Sequence, residues 1–471
     1  MLKKRVVCII FALVYACALF SGCSKNENSG GEIDTYTAEE YSDDGCIYRG
    51  GFWAPDRNDE EYERYKNAGM NTVLLARHGK GDYAVKNNYF LGSSATDEAI
   101  ELCEKFGLKL ILNYGIWEGS LAGQTVNAKS VETTYDKYKP YIDDGTIIGM
   151  SICDEPFKSH IDDPGFFADE ELYANFNKYY KDKEFYVNLN PWIFFSDHNG
   201  FGMGVTSTYR EYVDYFTDKV LNKVAEGSKL MSTDVYPFTE GGLEELWLAT
   251  YETISGTALA NSAPISYYMQ TQKQAEGRYS RKMTYEDMRL QVYTALCYGA
   301  TQIMYYCYTC PSGHNYEYCM LDTEGNPSDY YYLVKRINEE IATFENVFAS
   351  YEYKGTYPVL AEDNNDLNLQ LLENKPNFDG NKYLTSVSAN KGILVGNFGR
   401  ESGEAYMFVN FGDTRTCGEA ELKFTLKNSN FVAIYGKNGA KANERIVKGN
   451  NGTFEFTLGA GEGLFVVPLA E

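Results

Sequence analysis

Between residues 46 and 349, apolar runs of strand length alternate with stretches in which apolar residues return every three or four positions. The runs are Ile47 to Trp53, Asn71 to Ala76, Leu108 to Tyr114, Ile147 to Cys153, Glu184 to Leu189, Lys229 to Val235, Pro264 to Met269 and Thr301 to Tyr308. Helical periodicity fills the gaps, as in Asp59 to Gly69 and Thr96 to Gly107, where a glycine ends each pattern. Strands that are apolar throughout and separated by helices predict a parallel sheet covered on both faces. Eight such units predict a closed (β/α)8 TIM barrel rather than an open dinucleotide-binding sheet, and no G-x-G-x-x-G follows the first strand.

After a long helix expected from Ser328 to Ala349, the period drops to two. Short alternating segments follow at Gly392 to Phe398, Glu404 to Phe411, Glu421 to Thr425, Phe431 to Tyr435, Thr453 to Leu458 and Gly463 to Pro468, with Asn438-Gly439 and Asn451-Gly452 as turn signals. This predicts a small C-terminal antiparallel β-sandwich over 350–471. At the other end, Lys3, Lys4 and Arg5 precede an apolar stretch from Val6 to Phe20 and then Ser21, Gly22 and Cys23. That order of charge, apolar core and small residues is the order of a secretory signal, and it is short for a membrane span. Small residues ahead of Cys23 resemble a bacterial lipobox, which implies lipidation of Cys23; an ordinary cleaved signal is the alternative, and Phe20 departs from the usual Leu. Residues 23–45 are rich in Ser, Asn, Gly, Asp and Glu and read as a flexible tether. The expected organisation is signal 1–22, tether 23–45, barrel 46–349 and sandwich 350–471, in a protein exported to the cell surface.

Composition narrows the partners. A formal charge of -23 over 471 residues opposes binding to phosphate backbones, so no nucleic acid is expected. Aromatic residues make up 15% of the chain, with 41 Tyr against 4 Trp, which suits stacking on sugar faces and hydroxyl hydrogen bonding as well as plain packing. In a parallel barrel the reactive groups sit where strands end, at the C-terminal face. Those positions hold Trp53 with Asp56, His78, Asn113 with Trp117, Asp154 with Glu155, Asn188 with Asn190, Asp234 with Tyr236, Gln270 with Gln272, and Tyr306 with Tyr308. Carboxylates, amides and rings are the groups that grip polyols, and a carboxyl pair is what hydrolysis of a glycosidic bond requires. Carbohydrate is therefore the expected partner, with neither cofactor nor metal called for.

Ser151-Ile-Cys-Asp-Glu-Pro156, closing the fourth strand, resembles the Asn-Glu-Pro acid/base motif of the clan A glycoside hydrolases, with Asp154 in place of Asn and Glu155 at the general acid/base. Thr233-Asp-Val-Tyr-Pro237 is similar to the sixth-strand segment of family 42 β-galactosidase-like barrels, and Met269-Gln-Thr-Gln272 falls where that family carries its nucleophile. The resemblance covers Cys46 to Ser350. It implies a glycoside hydrolase with Glu155 as acid, and it departs at the seventh strand, where Gln270 and Gln272 stand in place of a glutamate. An amide is a poor nucleophile, which leaves three routes: an inverting hydrolase with Asp234 or Asp154 activating water, a reaction assisted by the substrate's own acetamido group beside Asp154 and Glu155, or a glycan-binding protein that has lost turnover. Trp53, Asn113, Trp117, Asn188, Tyr236, Gln270, Gln272, Tyr306 and Tyr308 are the candidate substrate contacts, each with packing or turn formation as its ordinary alternative.

Eight of the eleven cysteines lie beyond Cys23, scattered and mostly in apolar surroundings. Cys307, Cys310, His314 and Cys319 have near-knuckle spacing, for which zinc, a Cys310–Cys319 disulfide and free thiols all stay open. His160 and His198 have no metalloprotease or nucleophile-elbow context.

Overall fold

The structure, a computed structural model, describes residues 41, 45–75, 91–113, 127–311, 314–361, 366, 368–369, 372, 380–436 and 445–470. Residues Thr37–Glu471 form one compact unit. Eight parallel strands each precede a helix: β1 Tyr48–Gly51, α1 Asp59–Asn67, β2 Thr72–Leu74, α2 Ser94–Phe106, β3 Lys109–Asn113, α3 Ala128–Asp143, β4 Ile147–Asp154, α4 Glu170–Tyr179, β5 Glu184–Leu189, α5 Tyr209–Lys219, β6 Met231–Asp234, α6 Trp247–Ala260, β7 Ile265–Gln270, α7 Tyr285–Cys297, β8 Ala300–Tyr306 and α8 Asp329–Ala342. Neighbouring strands pair in chain order from β2 to β8, and β8 pairs with β1. Asn71 closes the ring. Its backbone N–H donates to Arg49 O at 3.0 Å, and its side chain accepts from Arg49 N at 2.7 Å and donates to Ile47 O at 2.9 Å.

Alternation along the strands sets up two layers of core. Ile111, Tyr186, Tyr268 and Met304 point into the barrel. Their neighbours Leu110 and Leu112, Phe185 and Val187, Tyr267 and Met269, and Ile303 and Tyr305 pack outward among the helices. The helix ends follow the sequence signals. Asn58 and Ser93 cap α1 and α2 by accepting from Glu61 N and Thr96 N, and Gly107 closes α2 in the left-handed conformation at φ 65°. The helix expected from Ser328 to Ala349 is broken: α8 ends at Ala342 and a short helix, Glu345–Ala349, follows, which frees Glu345 to pair with the buried Arg49.

The C-terminal region is a β-sandwich with, among the described residues, nine strands in two antiparallel sheets: β9 Glu352–Val359, β10 Leu384–Ala389, β11 Ile393–Arg400, β12 Gly403–Asn410, β13 Ala420–Leu426, β14 Phe431–Tyr435, β15 Arg445–Lys448, β16 Thr453–Leu458 and β17 Gly463–Leu469. The larger sheet runs β9-β11-β12-β17-β14-β15 and the smaller β10-β13-β16. Strands β9, β10 and β15 escape the sequence pattern because their exposed residues blur the alternation. The larger sheet is buried on both faces: Leu464 and Val466 meet the smaller sheet, while Phe465 and Val467 join the barrel's core.

At the opposite end of the barrel interior from the strand tips, Glu184 is half-buried and accepts from the buried Gln302 Nε2. Glu184 Oε2 and Gln302 Oε1 have no hydrogen-bond partner. One proton on Glu184 supplies the donor that both orphaned oxygens lack, and burial pushes this carboxyl up to about 7. A folded-state value above the unfolded one means that stability declines as pH rises from about 4.5 through about 7. Glu184→Gln, whose amide can pair reciprocally with Gln302, is therefore expected to stabilise the protein at pH 8 by on the order of 3 kcal/mol and to be neutral at pH 4. Denaturant melts of both proteins at the two pH values check this, and an equal effect at each pH counts against it.

Candidate functional site

At the C-terminal mouth of the barrel lies a cavity of about 210 Å³, and Asp154, Glu155, Asn188 and Asp234 line it. Consecutive strand residues ordinarily point to opposite faces, so Asp154 and Glu155 should not share a cavity. Two local departures bring them together. The β4–β5 register shifts between Ser151 and Cys153, and Glu155 takes a left-handed backbone at φ 49°. Glu155 N is held by Asn188 O at 2.8 Å, and Pro156 O accepts from Tyr212 Oη at 2.7 Å and from Asn190 Nδ2 at 3.3 Å. The turn that presents Glu155 is thereby fixed on both sides.

Asn188 organises the other two acids. Its Nδ2 donates to Asp154 Oδ1 and to Asp234 Oδ1, each at 3.0 Å, so those two oxygens lie within 6 Å of one another. Ser232 Oγ donates to Asn188 Oδ1 at 3.0 Å, which leaves the amide only one way to face. Ser232 is held in turn beside Tyr186 and Ser266 inside the barrel. The Glu155 carboxyl makes no hydrogen bond to protein among the described residues and opens to the cavity.

Electrostatics differentiate the three carboxyls. Burial, and then the charge of Asp234, push Asp154 up to about 7 against the donation from Asn188. Burial pushes Asp234 up to about 6, with Asn188 and the Tyr236 hydroxyl restraining the rise. Burial together with the charges of Asp234 and Asp154 holds Glu155 well above the ordinary carboxylate range. Asp234 is thus readier to ionise than Asp154, and Glu155 holds its proton more tightly than an ordinary carboxyl does.

Rings build the wall. Phe52 meets Trp53 at 5.0 Å, Tyr268 at 5.9 Å and Tyr306 at 5.5 Å between centroids. Tyr306 stacks on Tyr236 at 5.2 Å, and Tyr236 meets Tyr279 edge-on at 5.9 Å. Trp53 has a left-handed backbone at φ 63°, so both left-handed residues among the cavity's lining, Trp53 and Glu155, are side chains the site needs. Gln272, 1% exposed, anchors Oε1 on Thr271 N at 3.2 Å and lines the cavity beside Gln274.

Eight of the candidates from the sequence thus meet at one mouth: Asp154, Glu155, Asp234, Trp53, Asn188, Tyr236, Gln272 and Tyr306. Two do not line it. Gln270 spends its amide on the Phe238 peptide, accepting from Phe238 N at 2.8 Å and donating to Phe238 O at 3.1 Å. Tyr308 lies beyond the end of β8, so strand parity no longer aims it; its ring is buried against Tyr65 at 4.9 Å. Asn190 serves the Pro156 turn, and Asp56 lines a separate cleft on the rim. His78 and Trp117 lie outside the described residues, as does the side chain of Asn113. Phe52, Phe194, Tyr268, Gln274, Tyr279 and Tyr316 line the cavity without having been singled out from the sequence. Tyr268 follows from β7 parity, whereas Tyr279 arrives on a loop and Tyr316 opens a short strand, Tyr316–Tyr318, that no period marks. His314 stacks on Tyr316 at 5.3 Å, and among the described residues no group of three or more His, Cys, Asp or Glu is arranged to hold a metal ion.

No family model matches this chain, and no curated protein matches it in sequence. Solved structures do. A glycoside hydrolase family 5 protein from Bacteroides vulgatus aligns over 90% of this chain and 89% of its own at a TM-score of 0.51 and 12% identity. A second glycoside hydrolase aligns over 91% and 96% at a TM-score of 0.48 and 12% identity, and an α-amylase from Anoxybacillus over 91% and 98% at 0.47 and 11%. The first of these likenesses bears out the fold, an eight-stranded parallel barrel with helices followed by antiparallel sheets.

The shared donor yields a test. Asn188 favours the charged forms of Asp154 and Asp234, so its loss raises their folded-state values further above the unfolded ones, at greatest cost when both must ionise. Asn188→Ala is expected to cost roughly 1.5–3 kcal/mol more at pH 8 than at pH 4. Thermal melts across that range measure it, and a loss independent of pH would show that Asn188 does not serve these carboxyls.

Proposed function

We propose that this protein is an extracytoplasmic, lipid-anchored glycoside hydrolase that cleaves glycosidic bonds in oligo- or polysaccharides with Glu155 as the general acid. The observation that carries the reading is the convergence of Glu155, Asp154 and Asp234 on one aromatic-walled cavity at the barrel's C-terminal mouth. Glu155 has a raised affinity for its proton and a carboxyl with no hydrogen bond to protein among the described residues, as a donor to a leaving oxygen requires. Asp234, fixed by Asn188 and more readily ionised, is the partner that activates water, and burial with the charges of Asp234 and then Asp154 favours the protonated form of Glu155. Phe52, Trp53 and Tyr306 offer apolar faces for the sugar ring, while the Gln272 amide offers hydrogen bonds to its hydroxyls.

Gln272 favours a second reading. In the family 42 resemblance this segment carries the glutamate nucleophile, and an amide cannot form a covalent glycosyl-enzyme. A surface glycan-binding protein on the same barrel would keep the cavity and lose turnover. Both readings bind sugar, and only the first releases reducing ends.

Against a panel of oligosaccharides, the purified protein is expected to release reducing ends, and Glu155→Gln to lower kcat/KM by roughly 10²- to 10⁴-fold while retaining binding. Activity should rise with pH through about 6 as Asp234 ionises and fall at higher pH as Glu155 loses its proton. In Glu155→Gln the falling limb should vanish. Binding without hydrolysis by the unaltered protein would decide for the second reading. For the anchor, Cys23→Ser is expected to move the protein from the membrane fraction to the soluble exported fraction, and unchanged membrane association after that substitution would exclude lipidation at Cys23.

A further inference from the structure

Behind the aromatic wall lie three thiols in contact. Cys307 follows directly on β8, and its Sγ is 3.2 Å from Cys319 Sγ. Cys310 packs into the same cluster and interacts with the Cys319 sulfur, so Cys319 has two thiol neighbours. All three are buried and all are thiols in the structure. Cys307 and Cys319 thus form a close pair of sulfurs that the sequence reading, which weighs a Cys310–Cys319 bridge against zinc and free thiols, does not consider. The two segments are laced together by Met320 N to Cys307 O at 3.2 Å and Leu321 N to Tyr308 O at 2.9 Å, which holds the sulfurs in register. Bridging Cys307 and Cys319 requires the sulfurs to approach by only about 1 Å.

The three thiols differ in access. Cys307 and Cys319 are fully covered, whereas Cys310 is 9% exposed and lines a cleft of about 480 Å³ on the barrel's rim. Asp56, Glu60, Glu61, Asp322 and Glu324 line that cleft with Arg64 as the one basic residue among its described lining. Such a cleft repels anionic reagents and attracts cationic ones.

We propose that Cys310, Cys319 and Cys307 form a thiol–disulfide exchange site that takes small cationic or neutral disulfides through the rim cleft and comes to rest as a Cys307–Cys319 bridge. The Cys310 thiolate attacks one sulfur of the incoming disulfide and releases one thiol. The Cys319 thiolate then attacks Cys310 Sγ and expels the second, and Cys307 displaces Cys310 from Cys319. Two protein thiols are oxidised to one disulfide, the reagent is reduced to two thiols that take up the two protons, and Cys310 ends as a free thiol. Phe52, Trp53, Tyr306 and Tyr316 pack on the three cysteines and also line the cavity, so the bridge staples the chain segment that carries Tyr306 and Tyr316.

The test exposes the reduced full-length protein to cystamine or to glutathione disulfide at equal concentration, blocks remaining thiols with iodoacetamide and maps chymotryptic peptides without reduction. Cleavage after Tyr308 and Tyr316 separates the three cysteines. The expected product joins Cys307 to Cys319 with Cys310 alkylated, and cystamine should form it about tenfold faster than the anionic glutathione disulfide. Full alkylation of all three cysteines after cystamine, a final link through Cys310, or a faster reaction with glutathione disulfide would overturn the proposal. Cys310→Ser should reach the same link about tenfold more slowly, and an unchanged rate would remove Cys310 as the point of entry.

Discussion

A parallel barrel has no edge to spare: unless its first and second strands meet, eight strands remain an open sheet and their tips fan apart. Here that junction depends on Asn71, which bonds to the β1 backbone through its own peptide and both ends of its side chain. Beside it the buried Arg49 guanidinium is taken up by Glu345 and Gly69 O, so closure buries a charge together with its partner. Closure brings the strand tips to one mouth, and everything chemical about the protein follows from their convergence.

Convergence has an electrostatic cost. Three carboxyls share a small space, and one amide serves two of them. Desolvation raises all three and the charge of Asp234 raises Asp154 and Glu155 further, while Asn188 and the Tyr236 hydroxyl restrain Asp234 and no hydrogen bond among the described residues restrains Glu155. An acid that holds its proton next to one that loses it more readily is a division of labour set by burial, neighbouring charge and hydrogen bonding together. The left-handed backbones of Glu155 and Trp53 belong to the same pattern, since a strand tip in regular geometry would turn one of each adjacent pair away.

The sandwich contributes by burial rather than chemistry. Its larger sheet is apolar on both faces, and Phe465 meets Phe344, Phe348, Tyr351 and Phe398 beneath the barrel. Gly463 lies so close to Tyr293 that a methyl group there would sit 2.0 Å from the ring, and the Tyr293 hydroxyl donates to the fully buried Glu340, which also takes Arg289. The helices on that side of the barrel are thereby clamped from behind, away from the mouth.

The amino-acid sequence alone determined the alternation of eight strands and helices, the sandwich after them, and the polar tips from which Glu155, Asp154, Asn188 and Asp234 come. Those features are local: period, capping and the switch from apolar to polar are written within ten residues of each site. Only tertiary structure decided which tips share the cavity. Gln270 and Tyr308 carried the right residue types at the right strand ends, and yet the Phe238 peptide claims one and Tyr65 the other. The bond from Asn188 to Asp234 joins residues 46 apart, and the contact of Cys307 with Cys319 pairs two cysteines that the sequence reading does not put together. Such choices depend on bulges, on backbone sign at single residues and on which distant group arrives first at a donor, and none of these leaves a period in the chain.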